Sequence, residues 1–182
     1  IVVAYGEIIK ENLLSMPKIA CINVHASLLP KYRGAAPIQR CIIEGEFESG
    51  ISIMHMAKKM DAGDLISTVK TKILPNMTAG ELEEKLCEIS QAALLQVIKD
   101  LKNKSADREV QDHDLASYAP KLQSRDGEIT WDLSARLTHD LIRGLTPRPG
   151  AWCWVEVKSK KKRMKILRAE LLESEGADRG SV

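Results

Sequence analysis

The chain has 182 residues, 44% of them hydrophobic and 29% charged, with a formal net charge of +2. That is enough apolar material for one domain or one and a half, and too much for a chain disordered throughout. No run of about 20 apolar residues occurs, which excludes a membrane-spanning helix. Cys21, Cys41, Cys87 and Cys153 form no CxxC pair and no Cys/His cluster, so no zinc site or disulfide framework is predicted and a reducing compartment fits.

The chain opens on IVVAYG without a Met and stops at RGSV. Both ends read as cuts, and a piece of a longer protein is expected. Residues 1–5 read as a buried strand, followed by a short helix across 7–15 that ends before Pro17. Residues 19–25 read as a second strand. Residues 36–44 fit a helix, with Pro37 suited to its start. Strands are predicted at 50–56 and 64–73. Thr78 and Glu81 then form a capping-box pair, and Leu82, Leu86, Ile89, Ala93 and Val97 repeat at helical spacing, so a long helix is predicted over about 79–101.

Residues 102–117 are polar and without periodicity, as in a linker. A second unit is predicted over 118–182, with an exposed turn at Ser124-Arg-Asp-Gly127, a helix near 134–145 and strands on either side of Ser159-Lys-Lys-Lys-Arg163. The first unit, 1–101, reads as the later half of an α/β sheet domain. The second reads as a separate, strand-rich and incomplete module.

Within CINVHASLLPKYRGAAP, residues 21–37, Asn23 and His25 are two apart on a strand and therefore share a face at its end. Ligands of open α/β sheets sit beyond the carboxyl ends of strands. Ser27-Leu-Leu-Pro30 forms the exit turn. Met60-Asp-Ala-Gly-Asp64 supplies two carboxylates in a later loop, with Gly63 expected to permit a sharp bend. Asn, His and Asp together suit attack of an amine on a carbonyl. Asn23 can donate to the oxyanion, His25 can donate or shuttle a proton, and Asp61 can hold the imidazolium or take the proton shed by the amine. A lone strand-end His is more often a packing residue than a catalytic one, and an Asp beside Gly is usually a turn residue.

The stretch NVHASLLPKYRGAAPI (23–38), with SGISIMHM (49–56) and MDAGD (60–64), resembles the formyltransferases that use 10-formyltetrahydrofolate. SYAPKLQSRDGEITWD (117–132) and RGLTPRPGAW (143–152) are similar to the carboxyl-terminal domain of the methionyl-tRNA branch of that family. The resemblance implies a Rossmann-like core, the later half of its sheet, followed by a partial OB-like β-barrel domain that binds tRNA. It implies Asn23, His25 and Asp61 as the catalytic trio, and Ser27, Leu28, Leu29, Pro30, Tyr5, Gly6 and Ile8 as folate contacts. The reaction implied is formyl transfer from 10-formyltetrahydrofolate, a consumed cosubstrate, to the amino group of initiator methionyl-tRNA, with no metal. Departures from the pattern are Ala57-Lys58-Lys59 before the Asp61 loop and Arg148 in place of a common Trp.

Charge is uneven along the chain. Residues 1–120 hold 14 Lys/Arg against 16 Asp/Glu, and residues 121–182 hold 13 against 9. Lys158, Lys160, Lys161, Lys162, Arg163 and Lys165 give the second unit a basic tip, either a solvated turn or a phosphate contact. With the tRNA reading, Arg33, Lys121, Arg143, Lys160, Lys161, Lys162 and Arg163 are candidate contacts. Trp152 and Trp154 alternate and are expected on one side, in core packing. A monomer is expected, in the bacterial cytosol or else an organelle matrix. The competing readings are a formyltransferase for an amino-sugar nucleotide and a catalytically inert RNA-binding relative.

Overall fold

The computed structural model describes residues 1–4 and 9–172. The expected folate contacts Tyr5, Gly6 and Ile8 lie outside the described residues. In chain order the elements are β1 (Val2–Val3), α1 (Glu11–Leu14), β2 (Ile22–His25), β3 (Arg33–Gly34), α2 (Pro37–Ile43), β4 (Glu48–His55), β5 (Leu65–Lys72), α3 (Ala79–Asn103), β6 (Tyr118–Ala119), α4 (Ala135–Leu145), β7 (Ala151–Val157) and β8 (Lys160–Ile166).

Four strands form a mixed sheet in the order β1-β2-β4-β5. β1 and β2 are parallel, while β4 runs antiparallel to both β2 and β5. One face of this sheet is apolar. Ile22 and Val24 of β2, Ile51 and Ile53 of β4 and Ile66 of β5 pack with Cys41 and Ile42 of α2 and with Leu82, Leu86 and Val97 of α3. The alternation of β2 sends Asn23 and His25 to the opposite face.

The capping box forms as the sequence predicts. Thr78 Oγ1 accepts from the Glu81 amide at 3.3 Å, and the Thr78 amide donates to Glu81 Oε2 at 2.8 Å. α3 then runs two residues beyond its expected end and stops at Lys104, whose φ of 59° is left-handed. Burying Leu82 and Leu86 completely contributes roughly 2 kcal/mol each.

The second unit packs on the first through α4. Its N-cap is Ser134, which accepts from the Leu137 amide. Gly144 lies where α4 crosses α2. A Cβ there would stand 2.6 Å from Ile43 Cγ1 and 3.2 Å from the Gln39 carbonyl oxygen. β7 and β8 form a two-stranded hairpin over a small core of Ile129, Ile142, Leu145, Ala151 and Cys153. Among the described residues these strands close no barrel.

The hairpin turn is narrower than SKKKR. It consists of Lys158 and Ser159, with φ of 51° and 58°, while Lys160–Arg163 belong to β8. Two positive-φ residues in a two-residue loop match the twist of the flanking strands.

Candidate active site

Asn23 and His25 stand at the carboxyl end of β2, on the face away from the main core. His25 is buried, and its Nε2 lies 2.9 Å from the carbonyl oxygen of Tyr32. A carbonyl only accepts, so Nε2 carries a proton. The other nitrogen, Nδ1, faces Asp61 Oδ2 at 3.7 Å. That separation suits charge pairing and exceeds a direct hydrogen bond. Asn23 Oδ1 is buried and has no hydrogen-bond partner among the described residues. An unsatisfied buried acceptor costs about 1–3 kcal/mol, a cost that an arriving N–H removes.

Asp61 reaches His25 by a return path. Because β4 is antiparallel to β2, its last residue, His55, pairs with Ile22 at the start of β2 rather than with His25. The loop after β4 therefore leaves at the wrong end of β2 and folds back. Asp61 takes a left-handed φ of 49° in this loop, and its Oδ2 accepts from the Gly34 amide at 2.9 Å. Gly63 is needed for close approach rather than for a left-handed bend: a Cβ there would stand 1.7 Å from the His55 carbonyl oxygen. Asp64 separates from Asp61. Its carboxylate accepts from Arg108 Nε at 2.6 Å, and its carbonyl accepts from the His55 amide.

The Ser27–Pro30 turn is tied down from within. Ser27 Oγ donates to the Lys31 carbonyl at 2.7 Å. Ser52 Oγ donates to the Ser27 carbonyl and accepts from the Leu29 amide. Ser27 is buried, and Leu29 packs with Met54 and Leu65, so these two shape the turn. Leu28 and Pro30 are partly open to solvent.

The Tyr32–Ala36 loop is clasped by residues 117–119. Tyr32 and Arg33 donate their amides to Ser117, and the amides of Ala35 and Ala36 share the Ala119 carbonyl. β3 and β6 thus pair in parallel, and a Cβ on Gly34 would press on that carbonyl at 2.9 Å. Tyr32 donates its hydroxyl to Glu44 and Glu46. Burial first, and then these hydrogen bonds, push the phenol well above its ordinary range.

Ser52, Gly34, Tyr32 and Gln111 are parts of this frame that motif reading passed over. Ser52 did leave a signal, a small hydroxyl inside the apolar strand GISIMHM. Gln111 left none.

The tRNA candidates divide. Arg33 is wholly buried, its guanidinium turned to Gln111 and His113. Arg143 is buried too, donating to Asp140 Oδ1 at 2.7 Å and to the Met77 carbonyl. Lys121 and Lys160–Arg163 are exposed. Cross-strand pairing puts Lys161, Arg163 and Lys165 beside Glu156, Trp154 and Trp152 on one face of the hairpin. Lys160 and Lys162 stand opposite Val157 and Val155 and fall on the other. The guanidinium of Arg163 lies 3.6 Å from the Trp152 ring centroid, and Lys161 Nζ lies 4.9 Å from that of Trp154. The two indoles meet edge to face at 5.5 Å, Trp152 buried and Trp154 half out.

A cleft of about 310 Å³ opens among Asn76, Thr78, Arg143 and Arg168; none of the trio lines it. Among the described residues no group of three or more His, Cys, Asp or Glu side chains is placed to hold a metal ion. No helix among them is long and apolar enough to cross a membrane.

Residues 1–98 match the model of the formyl transferase family, and residues 121–182 match that of the formyl transferase C-terminal domain. The chain belongs to the formyl transferase family. It is 59% identical over 172 residues to the methionyl-tRNA formyltransferase of Protochlamydia amoebophila, covering 94% of this chain and 54% of the relative. With the enzyme of the same name from Chlamydia pneumoniae it shares 42% over 177 residues, covering 97% and 55%. The chain thus spans about half the length of the curated relatives it matches. Among solved structures, a likely sugar N-formyltransferase from Mycobacterium tuberculosis superimposes with a TM-score of 0.74 at 18% identity, covering 95% of this chain and 73% of the other. An N-formyltransferase from Helicobacter canadensis, solved with folinic acid and dTDP-3-aminofucose, gives 0.72 at 21%, covering 86% and 56%. These two likenesses establish the fold of this formyl transferase: a Rossmann-like core with a mixed sheet, followed by a C-terminal formyltransferase domain.

Proposed function

We propose that the protein carrying this chain transfers a formyl group from 10-formyltetrahydrofolate to the amino group of initiator methionyl-tRNA, with Asn23, His25 and Asp61 as the catalytic residues. The observation that carries this reading is the meeting of His25 and Asp61 at the strand end that also bears Asn23, in a chain 59% identical to an enzyme of that name.

In this mechanism the methionyl nitrogen attacks the formyl carbon and the carbonyl becomes an oxyanion. Asn23 turns its amide to that centre. His25 keeps Nε2 bonded to Tyr32, so Nδ1 is the nitrogen that gains and releases a proton. Asp61 stabilises the imidazolium while its own orientation is held by the Gly34 amide. Collapse of the tetrahedral adduct breaks the bond from the formyl carbon to the folate nitrogen, which takes up a proton as the attacking amine loses one. No side-chain nucleophile is required.

The Ser27–Pro30 turn forms the folate wall, with Leu28 and Pro30 as its open side chains and Ser27 and Leu29 as its support. Tyr5, Gly6 and Ile8, outside the described residues, are proposed as further folate contacts on the family resemblance alone. The hairpin belongs to an OB-type module, and Lys121, Lys160, Lys161, Lys162 and Arg163 meet tRNA phosphates. The protein acts as a monomer in the bacterial cytosol.

The test is an acceptor panel. The full-length protein is given 10-formyltetrahydrofolate with methionyl-tRNA or with a dTDP-amino sugar, and the products are weighed by mass spectrometry. Formylmethionine as the product supports the proposal. A formylated sugar with methionyl-tRNA untouched would overturn it in favour of the sugar-nucleotide reading.

A further inference from the structure

Gln111 lies in the polar segment between the two units, yet it is only 4% exposed. Its Nε2 donates to two carbonyls of the folded-back loop, those of Asp61 at 3.0 Å and Gly63 at 2.6 Å. Its Oε1 accepts from Arg33 Nη2 at 2.6 Å and Nε at 3.2 Å. The amide orientation is decided by chemistry, since a guanidinium only donates and carbonyls only accept. Arg33 is itself anchored by β3 pairing with β6, and its Nη2 also meets His113 Nδ1 at 2.9 Å. Because a guanidinium only donates, Nδ1 is the accepting nitrogen of that ring.

The loop needs such a pin. It leaves β4 at the end remote from His25 and must hold Asp61 at a left-handed φ, which is costly for a residue other than Gly. The Asp61 carboxylate is fixed at one point, the Gly34 amide. Gln111 fixes the backbone behind it at two.

We infer that Gln111 is a positioning residue for formyl transfer, holding Asp61 at its working distance from His25 by bonding the backbone of the Asp61 loop to buried Arg33. This deepens the proposed reading of the trio and rests on it. Misplacement of a reacting group by about 1 Å can cost on the order of 100-fold in rate.

The test uses the full-length protein and Gln111→Glu. The carboxylate keeps an acceptor for Arg33 but cannot donate to the two carbonyls, so the fold is retained while the loop is released. The expected result is a kcat lower by about 10- to 100-fold, with KM for the folate within about threefold, in a protein that still unfolds cooperatively at a melting temperature lowered by the two carbonyls left without donors. Gln111→Met places no carboxylate beside the carbonyls; it also takes an acceptor from buried Arg33, so its melting temperature is expected to fall further, with the same loss confined to kcat in the protein that stays folded. An unchanged kcat in either variant overturns the inference, as does a loss that appears only as raised KM or lowered melting temperature. A parent that makes no formylated product defeats the reading of the trio instead, so the two failures are told apart.

Discussion

Nε2 of His25 donates to the Tyr32 carbonyl at 2.9 Å, so protons enter and leave the ring at Nδ1, 3.7 Å from Asp61. Asp61→Asn keeps the size and the Gly34 contact but removes the charge facing Nδ1. A fall in kcat of about 100- to 10,000-fold is expected, read in the formyl-transfer assay. A second prediction concerns the thiols. Burial pushes the Cys41 thiol up to about 11, against a smaller lowering by its hydrogen bond to Ser49, whereas Cys87 is exposed. Iodoacetamide at pH 8 is expected to label Cys87 within minutes and to leave Cys41 free until the protein is unfolded, as peptide mass mapping will show. A third concerns His55. Burial first, and then the charge of Arg108, hold its imidazole below the usual 6.5, with Asp64 opposing. The unfolded chain therefore binds a proton that the folded one resists. This contribution is full above pH 6.5 and is lost as pH falls from there toward the depressed folded value. Urea midpoints at pH 7 and pH 5 are expected to differ less in His55→Gln than in the parent.

Among the elements, those whose stabilising contacts are local were legible from the residues. Thr78 and Glu81 announce the start of α3, and the apolar repeat behind them shows its buried face. Thr78→Ala is expected to cost about 1 kcal/mol and to lower the melting temperature by about 2–4 °C. The antiparallel course of β4 was not legible, because an apolar strand carries no mark of its direction. The return path of the Asp61 loop was hidden for the same reason. β3 and β6 are two residues each and follow no period, so only the fold displays their pairing. Gln111 fell within the stretch read as a linker because its neighbours are polar, while its own amide is bonded inside the protein. The basic run was legible as a hairpin feature, but its division between two faces required the turn to be located at Lys158-Ser159.

Across the whole molecule, the segment joining the two units also forms a wall of the candidate site. It closes over the Tyr32–Ala36 loop, and α4 presses on the helix that follows that loop through Gly144. The sheet unit and the C-terminal unit are thereby bound to one another at the candidate site. In the proposed function the exposed cations of β8 meet the tRNA phosphates. Lys161→Ala and Lys162→Ala are each expected to weaken tRNA binding and to lower the slope of log affinity against log salt by about 1, measured by filter binding between 50 and 200 mM salt. If the residues gathered at the end of β2 perform formyl transfer, the full-length protein and its His25→Ala variant will differ in that reaction. Each is given methionyl-tRNA and 10-formyltetrahydrofolate, and formylmethionine is quantified by mass. Product from the parent with a rate at least about 100-fold lower in the variant is the result expected; equal product from both would show that His25 serves packing alone and that the mechanism is wrong.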